Sequence, residues 1–208
     1  ASRGLGDVYK RQAVGQNILM NLYSKIFQDY GQMVGQLLFT KGDALNSKRY
    51  MHMKGAISAL FELGVIPIVN ENDAVSIDEI KIGDNDTLSA MVASIAEADL
   101  LVILSDIQGL FTHDPRKNPN AELIREVSKF SRNLFKAAGG AGTPGGTGGM
   151  YTKLQAAEIC VHSGIDMIIA ESGIHGVLEK IADGEPVGTF FKAENVHPQM
   201  KRREIIIG

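Results

Sequence analysis

From Ala13 to about Tyr30 the apolar residues Val14, Ile18, Leu19, Leu22 and Ile26 recur at the spacing of one helix face, and Gly31 supplies a stop. The pattern then shortens. "QMVGQLLFT" (Gln32 to Thr40) reads as a strand, Asn46 or Ser47 caps a helix running to about Leu63, and Gly64 ends it. "VIPIV" is the next strand, with Pro67 a mild objection. After a polar loop, Asp86 or Thr87 caps a short helix through Ala96. "LLVILS" (Leu100 to Ser105) is a continuous apolar run and suits a strand buried on both faces. A helix over Thr152 to Gly164 and a strand over Ile165 to Ala170 follow. A short helix near Val177 to Ala182 and strands near Thr189 to Phe191 and Glu204 to Ile207 complete the pattern.

Alternating strands and helices predict an α/β domain with a mostly parallel sheet and helices on both faces. In such sheets ligands gather beyond the carboxyl ends of the strands. The polar loops after Val69 and after Leu104 both lie there. The first twelve residues, "ASRGLGDVYKRQ", show neither period. They read as a frayed arm, an expression scar or a misjoined frame, and are set aside from the fold.

Composition narrows the class. Hydrophobic residues make up 44% of the 208, enough for a sizeable core, and the net charge of −3 gives no electrostatic case for nucleic acid. Cys160 is the only cysteine and sits in an apolar helical pattern, so a packed thiol in a reducing, cytoplasmic setting is expected. No apolar run reaches the roughly 18 residues of a membrane span. The five histidines make no metal-ligand spacing, so no protein-built metal site is expected.

Three stretches carry candidate chemistry. In "NENDAVSIDEIKIGDNDTLSA" (Asn70 to Ala90) two clusters of amides and carboxylates flank one loop. They are either turn formers bonding their own backbone, or a grip on an amino acid, a lysine or a magnesium ion. The glycine run ends in "TGGMYTK" (Thr147 to Lys153), where backbone N–H groups at a helix start and Lys153 suit a phosphate. Its bland reading is a flexible loop with a helix cap. "GAGTPG" (Gly140 to Gly145) matches a dinucleotide fingerprint by letters alone, since Pro144 interrupts it and no strand precedes it. "LSDIQGLFTHDPR" (Leu104 to Arg116) is a long rim loop that begins with Ser105 and Asp106.

In this order the stretches resemble the amino acid kinase family. "AVGQ" (Ala13 to Gln16), "IVNEND" (Ile68 to Asp73), "IKIGDND" (Ile80 to Asp86), "LSDIQGLFTHDPR", "GTGGMYTKLQAA" (Gly146 to Ala157) and "GTFF" (Gly188 to Phe191) carry the likeness. It covers Ala13 to Gly208. The resemblance implies a three-layer αβα sandwich with a mostly parallel central sheet. It implies transfer of a phosphoryl group from ATP, with Mg2+, to the side-chain carboxylate of L-glutamate, the first step of proline synthesis. Asp73 and Asn85 would bind glutamate, with Asn70 close by. Asp86 would organise the catalytic lysines. Ser105 and Asp106 would lie at the nucleotide, Ser105 standing where the family usually has Thr. Thr147, Gly148, Gly149, Met150, Tyr151, Thr152 and Lys153 would wrap the phosphates, Lys153 neutralising charge as the γ-phosphoryl moves. Homo-oligomerisation and feedback inhibition by proline are further implications.

The start departs from the family, which opens with a strand, a lysine and a glycine-rich turn. None of these precedes Ala13, so residues 1–12 are expected to be a non-family segment and 13–208 a partial kinase domain lacking its first βα portion. The chain ends about where some members begin a PUA domain, so none is expected within it. Two other readings stand beside this one: a kinase for another carboxylate such as N-acetylglutamate, and an inactive remnant that retains nucleotide or amino-acid contacts.

Overall fold

Asn46 caps a helix as its sequence predicts: its side-chain oxygen accepts from the backbone N–H groups of Lys48 and Arg49 at 3.0 and 3.1 Å. That satisfies donors the helix cannot pair internally, a contribution of about 1 kcal/mol. In this computed structural model the described residues are 2–40, 42–43, 46–72, 84–137 and 149–194. They fall in two compact units, Ala1–Asn85 and Asp86–Gly208.

The first unit holds α1 (Ser2–Gln28), β1 (Met33–Phe39), α2 (Ser47–Glu62) and β2 (Val65–Glu71). β1 and β2 pair in parallel from Met33↔Val65 to Phe39↔Glu71. Gly31 and Gly64, with φ of 68° and 67°, end the helices in the left-handed conformation that glycine adopts without strain. Pro67 is tolerated because β2 has β1 as its one described neighbour, which leaves the other edge free of a ladder.

The second unit holds α3 (Asn85–Ile95), β3 (Leu100–Ser105), β4 (Glu126–Val127), α4 (Leu134–Ala137), α5 (Met150–His162), β5 (Asp166–Glu171), α6 (Val177–Ala182) and β6 (Thr189–Phe191). Its sheet runs β3-β5-β6-β4. The β3–β5 and β4–β6 pairs are parallel and β5–β6 is antiparallel. Its core joins Ala90 and Ala93 of α3 and Leu154, Ala157, Cys160 and Val161 of α5 to Ile103, Met167, Ile169 and Phe191 of the strands. Small residues on both helices allow them to approach the sheet closely. Gly188 takes φ 69°, and a Cβ there would run into the Ile169 carbonyl, so the tight entry into β6 depends on glycine.

Four expectations change. The first helix begins at Ser2 rather than Ala13. Extending a helix costs little once it is nucleated, so a stretch without amphipathic period and without proline continues it. The apolar stripe of α1 does not lead into a core: Val14, Ile18, Leu22 and Ile26 are exposed. β2 extends through Asn70 and Glu71, which therefore belong to the strand and not to the loop, because β1 is long enough to pair them. β3 is not buried on both faces. Among the described residues it is an edge of its sheet, and Leu100 and Leu104 are about 40% exposed while Ile103 and Ser105 turn inward. The expected strand over Glu204 to Ile207 lies outside the described residues.

Candidate active site

The sequence predicted a cap at Asp86 or Thr87, but α3 begins at Asn85, which places Asp86 in its first turn. Thr152 and Lys153 stand in the first turn of α5. The three side chains meet. Asp86 Oδ2 accepts from Thr152 Oγ1 at 2.7 Å and from Lys153 Nζ at 3.1 Å. Two residues far from Asp86 in sequence thus share one of its carboxylate oxygens. The Thr152 hydroxyl also lies 3.0 Å from the Gly149 carbonyl, and its single proton favours the charged acceptor. Each helix N-terminus adds partial positive charge beside Asp86.

Lys153 is 8% exposed, unusual for a lysine and sustained here by its ion pair. Gly149 precedes α5 with no side-chain cap, and a Cβ there would lie 3.1 Å from Lys153 Nζ. Glycine at this position thus spares the ammonium a close contact with a side-chain carbon. Met150 packs against the core and the Tyr151 ring lies 5.2 Å from the Phe135 ring. At the base of the same helix turn as Asp86, Ser89 Oγ donates to the Asp86 carbonyl at 2.7 Å.

Ser105 ends β3, buried, with its hydroxyl donating to Asp106 Oδ1 at 3.1 Å. Asp106 itself is exposed. Thus Ser105 and Asp106 form a pair at the carboxyl end of a strand, as the pattern predicted. Asn85 is exposed and immediately precedes Asp86. Asn70 lies in the other unit, on β2 opposite Leu38, and its side-chain oxygen accepts from the Glu71 N–H at 2.9 Å. Asp73, Thr147 and Gly148, together with "GAGTPG", lie outside the described residues. Among the described residues no group of three or more His, Cys, Asp or Glu side chains is placed to hold a metal ion. No helix among them is long and apolar enough to cross a membrane.

Sequence reading missed two contacts. The hydroxyl of Thr152, grouped with the phosphate wrap, touches Asp86. Thr189, fully buried in β6, bonds both arms of the loop that follows β3. The available signal for the second was a hydroxyl standing between Gly188 and the apolar Phe190 and Phe191.

An alternating α/β unit in which a buried lysine and a partly buried aspartate pair across the first turns of two helices is an arrangement suited to holding an anion. A sequence model of the amino acid kinase family matches residues 9–171, and the chain belongs to that family. It is similar to proteins named glutamate 5-kinase. The one from Caldanaerobacter subterraneus subsp. tengcongensis is 56% identical over 179 residues, covering 86% of this chain and 48% of that protein. The one from Clostridium tetani is 50% identical over 181 residues, covering 87% of this chain and 68% of that protein. The chain spans about half the length of most of the curated relatives it matches. Among solved structures, a carbamate kinase from Giardia lamblia bound to AMP-PNP matches with a TM-score of 0.63 and 16% identity, over 89% of this chain and 73% of that one. A UMP kinase from Bacillus anthracis matches with a TM-score of 0.58 and 16% identity, over 88% and 69%. These likenesses establish the α/β fold, with three of its four strand pairings parallel as the sequence predicted.

Proposed function

We propose that this protein transfers the γ-phosphoryl group of ATP to the side-chain carboxylate of L-glutamate, giving glutamyl 5-phosphate. The observation that carries the reading is the Asp86–Lys153 pair joining the first turns of α3 and α5, supported by the relatives' name. The acceptor carboxylate is ionised at neutral pH, so it needs no general base. The barrier is instead the mutual repulsion of two anions that must be held in line. A buried ammonium at a helix N-terminus addresses that barrier directly.

In this reading Lys153 offsets charge on the moving phosphoryl group and Asp86 holds its ammonium in place. Thr147 to Lys153 wrap the phosphates, chiefly through backbone N–H groups. Ser105 and Asp106 border the nucleotide. Asn85, Asp73 and Asn70 recognise the amino acid. The donor set suits Mg2+ carried in on the nucleotide's own phosphates, since such ions take only one or two protein carboxylates; exposed Asp106 is the described carboxylate suited to that role. When bound, the ion would supply further neutralisation of phosphate charge. Homo-oligomerisation, proline feedback and a cytoplasmic setting belong to the same reading; light scattering and proline titration of the assay check the first two.

The test is to trap the acyl phosphate with hydroxylamine in the presence of ATP and Mg2+, offering glutamate and N-acetylglutamate in parallel. Hydroxamate from glutamate, reduced on the order of 10²–10³-fold in Lys153→Met, is the expected result. Product from N-acetylglutamate alone would overturn the substrate assignment. Calorimetric ATP binding with no product from either acid would favour a non-catalytic binding chain.

A further inference from the structure

We infer that Thr189 is a positioning residue for the nucleotide side of the site, acting through the loop that begins at Asp106. This rests on the reading of Ser105 and Asp106 as the nucleotide border. Thr189 is fully buried in β6, and among the described residues its hydroxyl bonds main-chain groups. Oγ1 accepts from the Leu110 N–H at 2.9 Å and donates to the Ile124 carbonyl at 2.6 Å. One hydroxyl thereby uses its proton and a lone pair to pin both arms of the loop. The arms are also joined directly: the Ile124 N–H donates to the Leu110 carbonyl at 2.8 Å, and Phe111 and Leu123 form an antiparallel bridge.

The pin is tight. A Cβ at Gly109 would lie 2.5 Å from Thr189 Oγ1, so the chain passes the hydroxyl as closely as glycine permits. Leu110 is buried beside it, and lies only one helical turn's worth of chain beyond Asp106. Ser105 is fixed from the other side, its carbonyl accepting from the Ser172 N–H at 2.8 Å. Asp106 is therefore suspended between the end of β3 and the Thr189 anchor. Gly188 forces the entry into β6, which sets where the hydroxyl stands. The "GTFF" stretch thereby places one hydroxyl that aims a loop.

Thr189→Val keeps the shape and removes the hydroxyl; Thr189→Ser keeps the hydroxyl. Three measurements on the full chain decide the matter: ATP binding by calorimetry with Mg2+, hydrogen exchange of the Leu110 and Ile124 amides, and thermal unfolding. The expected result is faster exchange at those amides and roughly tenfold weaker ATP binding in the valine variant, as for loss of a buried hydrogen bond, with the serine variant restoring both. Faster exchange with unchanged ATP affinity would overturn the positioning role, as would weakened binding that serine fails to restore while folding normally. Absence of ATP binding in the unaltered chain would instead refute the nucleotide-border reading on which the inference rests. Should the valine variant not fold, Thr189→Cys, whose thiol is a much weaker donor and acceptor, takes its place: weaker ATP binding restored by serine supports the role, and unchanged affinity overturns it.

Discussion

Replacing Asp86 by Asn removes the charge that Lys153 faces while leaving an oxygen for the Thr152 hydroxyl. The paired atoms are 3.1 Å apart, and the Lys153 and Asp86 side chains are 11% and 20% exposed. At that separation, with an effective dielectric constant of about 20, the attraction is about 5 kcal/mol. Solvent reaching the partly exposed pair screens more than half of it, leaving a coupling of about 2 kcal/mol. Urea unfolding of the unaltered chain, Asp86→Asn, Lys153→Met and the double variant measures that coupling. Each single substitution is expected to cost about 2–3 kcal/mol, and the double variant about 2 kcal/mol less than their sum. The Asp43–Arg49 pair provides a contrast at 3.2 Å, because Arg49 is 63% exposed and a coupling below about 1 kcal/mol is expected there. A coupling below about 0.5 kcal/mol for Asp86–Lys153, or one abolished by about 1 M salt, would refute the reasoning. It would mean that solvent, and not Asp86, determines where the ammonium lies.

Asn46→Ala removes the cap of α2 and is expected to destabilise its unit by about 1 kcal/mol, read as a lower urea midpoint with unchanged slope. Ser94 is fully buried in α3 with no hydrogen-bond partner for its hydroxyl among the described residues, so Ser94→Ala is expected to be neutral or to stabilise by about 1 kcal/mol in the same assay. Burial pushes the Cys160 thiol from its ordinary 9.0 up to about 12, so it stays protonated and unreactive toward a thiol reagent at about pH 8 until the chain unfolds. The sign follows: the unfolded thiol ionises first, so this group's contribution to stability is intact below pH 9 and is lost as pH rises toward 12.

The elements legible in the sequence were those whose signals are local. Asn46 and Gly64 bracket α2 because capping and left-handed glycine act within one turn. β3 was misread because a continuous apolar run does not reveal whether a strand is central or at an edge; that depends on which partner pairs beside it. The β1 partner likewise decided that Asn70 and Glu71 join a strand, against their own turn preference. For the site, Asp86 and Lys153 each stood in a recognisable motif, and the resemblance linked them as one device. Nothing local pointed to the bond between Asp86 and Thr152, since it requires two helix starts to be brought together by the core. Thr189 was illegible for the same reason: its partners are 79 and 65 residues away.

The carboxylate at the head of α3 has one more consequence. Two helix N-termini and a lysine converge on it, a local excess of positive charge that Asp86 offsets. The protein thus carries an internal anion beside the place proposed for an external one. On the proposed function, an incoming phosphate would meet an ammonium that Asp86 already holds and that is already largely withdrawn from water. The cost of drying Lys153 would then be met during folding and not in the binding step.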